Sequence, residues 1–91
     1  MIESVANSKM TIELMTTSGC HLCDEASQMF DYLLKTESEF SSRFELQMVE
    51  IANDDRLIAE YGVRIPVLKS NKNELGWIFT LDELTRWLEN L

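Results

Sequence analysis

The side chains best equipped for chemistry are the two thiols of Cys20-His21-Leu22-Cys23. On a helix, three residues advance the chain by nearly one turn. The two sulfurs then share a side and lie within reach of a disulfide. The pair falls where strand-like residues give way to helix-like ones, which places Cys20 at or near a helix N-cap. Unpaired backbone N–H groups and the helix dipole favour a thiolate there. Such a thiolate attacks a disulfide to give a mixed disulfide, which the second thiol then breaks. Cys20 is therefore the expected nucleophile and Cys23 the resolving thiol, with Asp24 and Glu25 opposing the anion. Two blander readings are a zinc half-site and a pair of inert buried thiols. The first falls short because structural zinc takes four ligands, and no second Cys/His pair exists here. His21, the one histidine, either supports the thiolate when protonated or stands exposed at the helix start and tunes the couple. The second role is the simpler.

The neighbouring segments must position the dithiol. Residues 10–16 alternate Ile12 and Leu14 against Thr11 and Glu13, as a strand does. From His21 to about Thr36 apolar residues recur at Leu22, Ala26, Met29, Phe30, Leu33 and Leu34, the stripe of an amphipathic helix. Thr36-Glu37-Ser38-Glu39 ends it. Phe44, Leu46 and Met48, alternating with Glu45, Gln47 and Glu50, predict a second strand. Asn53 or Asp54 caps a short helix bearing Leu57, Ile58 and Tyr61, with Gly62 expected as a left-handed C-terminal residue. Ile65-Pro66-Val67-Leu68 reads as a buried strand starting at a proline. A turn at 70–73 leads to a return strand over 74–79, with Trp77 and Phe79 on one face. Thr80-Leu81-Asp82-Glu83 fits a capping box for a last helix carrying Leu84, Trp87, Leu88 and Leu91. Trp77 and Trp87 are expected in the core.

The order is thus β-α-β-α-β-β-α: a four-stranded mixed sheet of α/β class flanked by three helices. Residues 1–8 read as an N-terminal lead-in, and residues 9–91 as one domain, which is what 91 residues accommodate. Acidic residues outnumber basic ones 16 to 8, for a net charge of −8. Nucleic acid and anionic membrane both require clustered Lys and Arg, so neither is an expected partner. The acid excess reads most simply as dispersing surface charge. The opening residues lack the basic start and apolar core of a secretion signal, and no stretch approaches a membrane span. A reducing cytoplasm is the expected setting, and there a close cysteine pair reads as catalytic or metal-binding.

Thr16-Thr17-Ser18-Gly19-Cys20-His21-Leu22-Cys23, followed by Tyr61-Gly62-Val63-Arg64-Ile65-Pro66-Val67, resembles the glutaredoxin-like family of small thioredoxin-superfamily proteins. The resemblance covers roughly residues 9–91 and implies the thioredoxin fold. It makes Pro66 the counterpart of the family's cis-proline and Ile65 the residue whose backbone meets substrate. His21, Arg64, Ile65 and Pro66 are accordingly the candidate substrate-binding residues beside the catalytic pair Cys20 and Cys23. Arg64 is expected either to attract an anionic substrate or the thiolate, or to stand as a solvated charge. Two departures from pattern are plain. Thioredoxins carry an acid six residues before the first cysteine, where this chain has Leu14. Glutaredoxins carry Pro-Tyr inside the dithiol and Gly-Gly before the last helix, where this chain has His21-Leu22 and Trp77-Ile78-Phe79-Thr80-Leu81-Asp82. The N-terminus of the last helix could still offer N–H groups to a carboxylate, although Asp82 would resist one or simply cap the helix.

The resemblance implies a thiol–disulfide oxidoreductase acting on protein or glutathione mixed disulfides. It would hold no tightly bound cofactor and no metal. Glutathione enters as a co-substrate, and either glutathione or a thioredoxin-reductase-type enzyme as reductant. Partners would be protein or small-molecule thiols and disulfides, and the chain a monomer. The competing readings are an iron–sulfur carrier, holding a cluster through Cys20 and glutathione across a dimer, and a redox-inactive binding or adaptor protein.

Overall fold

The computed structural model describes residues 9–91; the lead-in expected at 1–8 lies outside the described residues. The elements are β1 (Met10–Thr16), α1 (His21–Thr36), α2 (Ser38–Arg43), β2 (Phe44–Glu50), α3 (Asp55–Tyr61), β3 (Val67–Ser70), β4 (Asn73–Gly76) and α4 (Leu81–Glu89). The sheet order is β2-β1-β3-β4. β1 and β2 are parallel, in register from Met10↔Phe44 to Thr16↔Glu50. β3 is antiparallel to β1 through Met15↔Val67, and β4 antiparallel to β3. This is the mixed four-stranded sheet of the thioredoxin fold.

Period-two alternation divides the apolar residues of β1 and β3 between the two sheet faces. Ile12, Leu14 and Leu68 face one way. With Ala26, Phe30 and Leu33 of α1, Phe40, Phe44, Phe79, and Leu84 and Leu88 of α4, they form the main core. Met15 and Val67 face the other way, onto a smaller cluster with Ile51 and Tyr61. Both tryptophans are partly buried against the main core.

The expected elements form, with three corrections. Among the described residues there are four helices where three were expected. At Glu37 the backbone turns extended (φ −116°, ψ 98°), which ends α1, but the chain re-enters helix at Ser38 for six residues. One apolar side chain in that turn, Phe40, is buried and lies 5.9 Å from the Phe44 ring, centroid to centroid. A lone apolar residue among polar ones carries no readable period. The return strand ends at Gly76, not at residue 79. Its partner β3 begins only at Val67, so beyond the Trp77 N–H bond to the Pro66 carbonyl (3.0 Å) nothing remains to pair with. Trp77 and Phe79 turn into the core instead, edge to face at 5.1 Å. Gly62 is right-handed (φ −50°, ψ −40°), not left-handed. Its lack of a side chain serves space: a Cβ there would lie 2.5 Å from the Ile58 carbonyl oxygen. Met48, on the edge strand β2, is 48% exposed.

Candidate active site

The dithiol stands where β1 hands the chain to α1. Thr16 ends the strand, Gly19 adopts φ +78°, and Cys20 is the N-cap of α1. A positive φ at the tip of so short a turn suits glycine, which has no Cβ to clash. The Cys20 N–H donates to the Thr17 carbonyl (3.2 Å), closing the turn. The Cys20 sulfur in turn accepts the Cys23 N–H at 3.1 Å, as a capping oxygen would. Cys20 and Cys23 are joined as a disulfide, with Cα atoms 5.2 Å apart.

The two sulfurs differ in access. Cys23 is 1% exposed, on the buried stripe of α1 with Ala26, Phe30 and Leu33. Cys20 is half-buried, and His21 and Leu22 between them are exposed. Cys20 is therefore the more accessible of the two residues and Cys23 the shielded one.

The Ile65–Pro66 peptide bond is cis, as the resemblance implied. The register Met15↔Val67 sets Pro66 at the end of the sheet where β1 leads to Cys20. Pro66 is buried and Ile65 half-buried against the smaller cluster. Arg64 is placed differently from the rest of the candidate set. Its guanidinium meets Glu60 and Glu74 at 3.2 Å each and lies over the Tyr61 ring, 5.0 Å from the centroid. Asp82 does not cap α4. Thr80 and Glu83 form the expected capping box, and Asp82 pairs with Arg86 at 3.0 Å.

Glu50 escaped the sequence reading, where it was one of the polar residues of a strand. Its carboxylate accepts from the Ser18 N–H (3.1 Å), the Ser18 hydroxyl (3.4 Å) and the Ala52 N–H (2.9 Å). It thereby ties the turn that presents Cys20 to the end of β2. The Thr17 hydroxyl, which approaches without full hydrogen-bond geometry, and the Ala52 and Ser18 donors hold this carboxyl below its usual range, against a smaller opposing effect of desolvation. The missing signal was the parallel register Thr16↔Glu50, which sets Glu50 beside the turn despite its distance along the chain.

A half-buried cysteine on a helix N-cap, a buried cysteine one turn on and a cis-proline at the same end of the sheet define a thioredoxin-fold dithiol domain. The model of the glutaredoxin-like domain (DUF836) matches residues 11–89, and the chain belongs to that family. The target protein XcR50 from X. campestris, solved by X-ray diffraction, is 30% identical with a TM-score of 0.73; the match covers 88% of this chain and 97% of that one. Its solution structure matches equally, at TM-score 0.73 over 90% of this chain and 96% of the other. The germline-specific thioredoxin Deadhead from Drosophila melanogaster shares the fold at 19% identity and TM-score 0.60, over 98% of this chain and 87% of that one. No protein with a curated description matches the sequence. Among the described residues no helix is long and apolar enough to cross a membrane.

Proposed function

We propose that the domain is a thiol–disulfide oxidoreductase in which Cys20 exchanges with protein or small-molecule disulfides and Cys23 resolves the product. The observation that carries this is the inequality of the two sulfurs: Cys20 half-buried on the N-cap of α1, Cys23 1% exposed beneath it. In the dithiol form the N–H groups of the first turn, Cys23 N–H among them, favour a Cys20 thiolate. That thiolate attacks one sulfur of the substrate disulfide. A new S–S bond forms, the substrate's own S–S bond breaks, and the departing thiolate takes a proton from water. Cys23, deprotonated, then attacks the Cys20 sulfur and expels the second substrate thiol. The substrate gains two electrons, and the domain is left as the Cys20–Cys23 disulfide. An external thiol or a thioredoxin-reductase-type enzyme returns it to the dithiol. A reducing compartment such as the cytoplasm suits that cycle.

Alkylation of the reduced protein, mapped by mass spectrometry, tests the assignment, with Cys20 labelled first. Cys20→Ser should abolish exchange. Cys23→Ser should trap a mixed disulfide on Cys20, which free glutathione could still resolve. Preferential labelling of Cys23, or full activity without Cys20, would overturn the mechanism.

A further inference from the structure

Around the dithiol, separate segments of the chain expose aliphatic side chains. Leu22, inside the dithiol motif, is 45% exposed; Val63, in the loop leading to Pro66, is fully exposed; Ile78, between β4 and α4, is 76% exposed. The Trp77 N–H bond to the Pro66 carbonyl holds the Ile78 segment against the proline loop, and the β1–β3 register holds that loop at the Cys20 end of the sheet. Leu81 of α4 continues the surface. With Met29, Tyr32, Gln28 and Glu25 of α1 it lines a groove of about 400 Å³ that starts within a turn of Cys23. Single exposed aliphatics are ordinary. Several of them, on segments that converge on one reactive group, make a contact surface.

The charge at this end is mainly acidic, although Asp82 is already paired with Arg86. Asp24 and Glu25 follow Cys23, Glu50 holds Ser18, and Asp82 and Glu83 open α4. Lys9, Lys35, Arg43 and Lys72 lie before β1, in the last turn of α1, just before β2 and in the β3–β4 turn, all toward the other end of the sheet. Arg64, the cation beside the proline loop, is already held by Glu60 and Glu74. At the start of α4 the Thr80 and Glu83 N–H groups are taken by the capping box, and the first turn carries the Asp82 and Glu83 carboxylates, which oppose an anion.

Resting on the oxidoreductase reading above, we propose that the disulfide exchanged at Cys20 belongs to a polypeptide whose cysteine is flanked by aliphatic and cationic side chains. Aliphatic groups of the substrate cover Leu22, Val63, Ile78 and the groove, while its Lys or Arg side chains meet Asp24 and Glu25. Glutathione carries two carboxylates against one ammonium and no aliphatic side chain, and is the poorer partner at this surface.

The test uses the reduced full chain and three peptides that differ only in the residues flanking one cysteine: Leu and Arg, Ser and Ser, or Glu and Glu. Each is presented as a mixed disulfide with 2-mercaptoethanol, beside oxidised glutathione and bis(2-hydroxyethyl) disulfide. Dividing each rate constant by that of dithiothreitol with the same disulfide removes the intrinsic reactivity of the substrate. The Leu/Arg peptide should exceed the Glu/Glu peptide by about tenfold or more at low ionic strength, with oxidised glutathione near the Glu/Glu peptide. The spread should narrow in high salt and in Asp24→Asn/Glu25→Gln. Val63→Ser/Ile78→Ser should lower the ratio of the Leu/Arg rate to the hydroxyethyl rate. Equal normalised rates, or glutathione fastest, with the hydroxyethyl disulfide still reduced, would overturn the proposal and leave the oxidoreductase reading standing. No reduction of any disulfide, the hydroxyethyl one included, would remove both.

Discussion

The two faces of the sheet are stabilised by different physics. Over one face lie α1, α2 and α4, and the core there is aromatic and aliphatic throughout: Phe30, Phe40, Phe44 and Phe79 among leucines and isoleucine. Over the other, among the described residues, lies only α3, seven residues long, with a cluster of four buried residues. Directional contacts supplement that thinner cluster. The Tyr61 hydroxyl donates to Glu74 at 3.0 Å, Arg64 bridges Glu60 and Glu74, and Asp54 caps α3 by accepting the Arg56 and Leu57 N–H groups. The same strands feed both faces, so the contrast comes from what the connections bring over them. Where burial is deep, stability is non-directional and insensitive to pH. Where burial is shallow, it depends on named polar atoms and on their protonation. The dithiol draws on both: Cys23 belongs to the stripe that faces the thick core, and the turn before Cys20 is tied by Glu50 at the sheet edge.

The largest effect should come from the thick face. Phe30 is wholly buried, and Phe30→Ala should cost about 3–5 kcal/mol in chemical denaturation, through lost transfer energy plus the cavity left behind. A loss below about 1 kcal/mol would mean that this face yields easily and that the contrast between the faces is false. On the thin face Tyr61→Phe should cost less, about 0.5–1.5 kcal/mol, the net worth of one hydrogen bond. It carries a pH signature that Phe30→Ala lacks. Burial, with the neighbouring Glu74 carboxylate, raises the Tyr61 phenol above its ordinary value of 10.0. The unfolded chain therefore ionises first. The contribution of the hydroxyl is fully present below pH 10 and is lost as pH rises through the raised folded value. The difference between wild type and Tyr61→Phe should shrink on that alkaline limb, and parallel stability–pH curves there would discount the Tyr61–Glu74 contact. Glu50→Gln should leave global stability nearly unchanged and act on the turn. Because the Glu50 carboxyl is lowered, its grip on Ser18 and Ala52 is present above the ordinary value of 4.5 and released as pH falls through the folded value. The Ser18 and Ala52 amide resonances should titrate in wild type at acid pH and not in Glu50→Gln. Identical titrations in both would remove Glu50 from the site.

Local signals located most of this molecule, and the misses share a cause. β1, α1 and the α4 capping box were readable because each repeats a period or a cap within its own residues. The reach of α2, the end of β4 and the conformation of Gly62 were not, since each depends on a partner elsewhere: the Phe44 ring, the start of β3, and the crowding of a Cβ against Ile58. Among the candidate site residues, Cys20 and Cys23 declared themselves by spacing, and Ile65 and Pro66 through the family motif. Arg64 and Asp82 were recognised as charges, but their partners Glu60, Glu74 and Arg86 could not be selected from the many acids and bases at helical or loop distances.

By itself, then, the sequence determined the thiol pair, the helix that begins on it and the alternation that gives the sheet two apolar faces. These follow from covalent spacing and from the periods of helix and strand, which act over a few residues. Tertiary structure alone decided how deeply Cys23 is buried, that Glu50 holds the turn before Cys20 and that Arg64 faces Glu60 and Glu74. Each of these is a distance between residues far apart in the chain. Such distances are set by strand order and register, which come into being only when the sheet closes around its core.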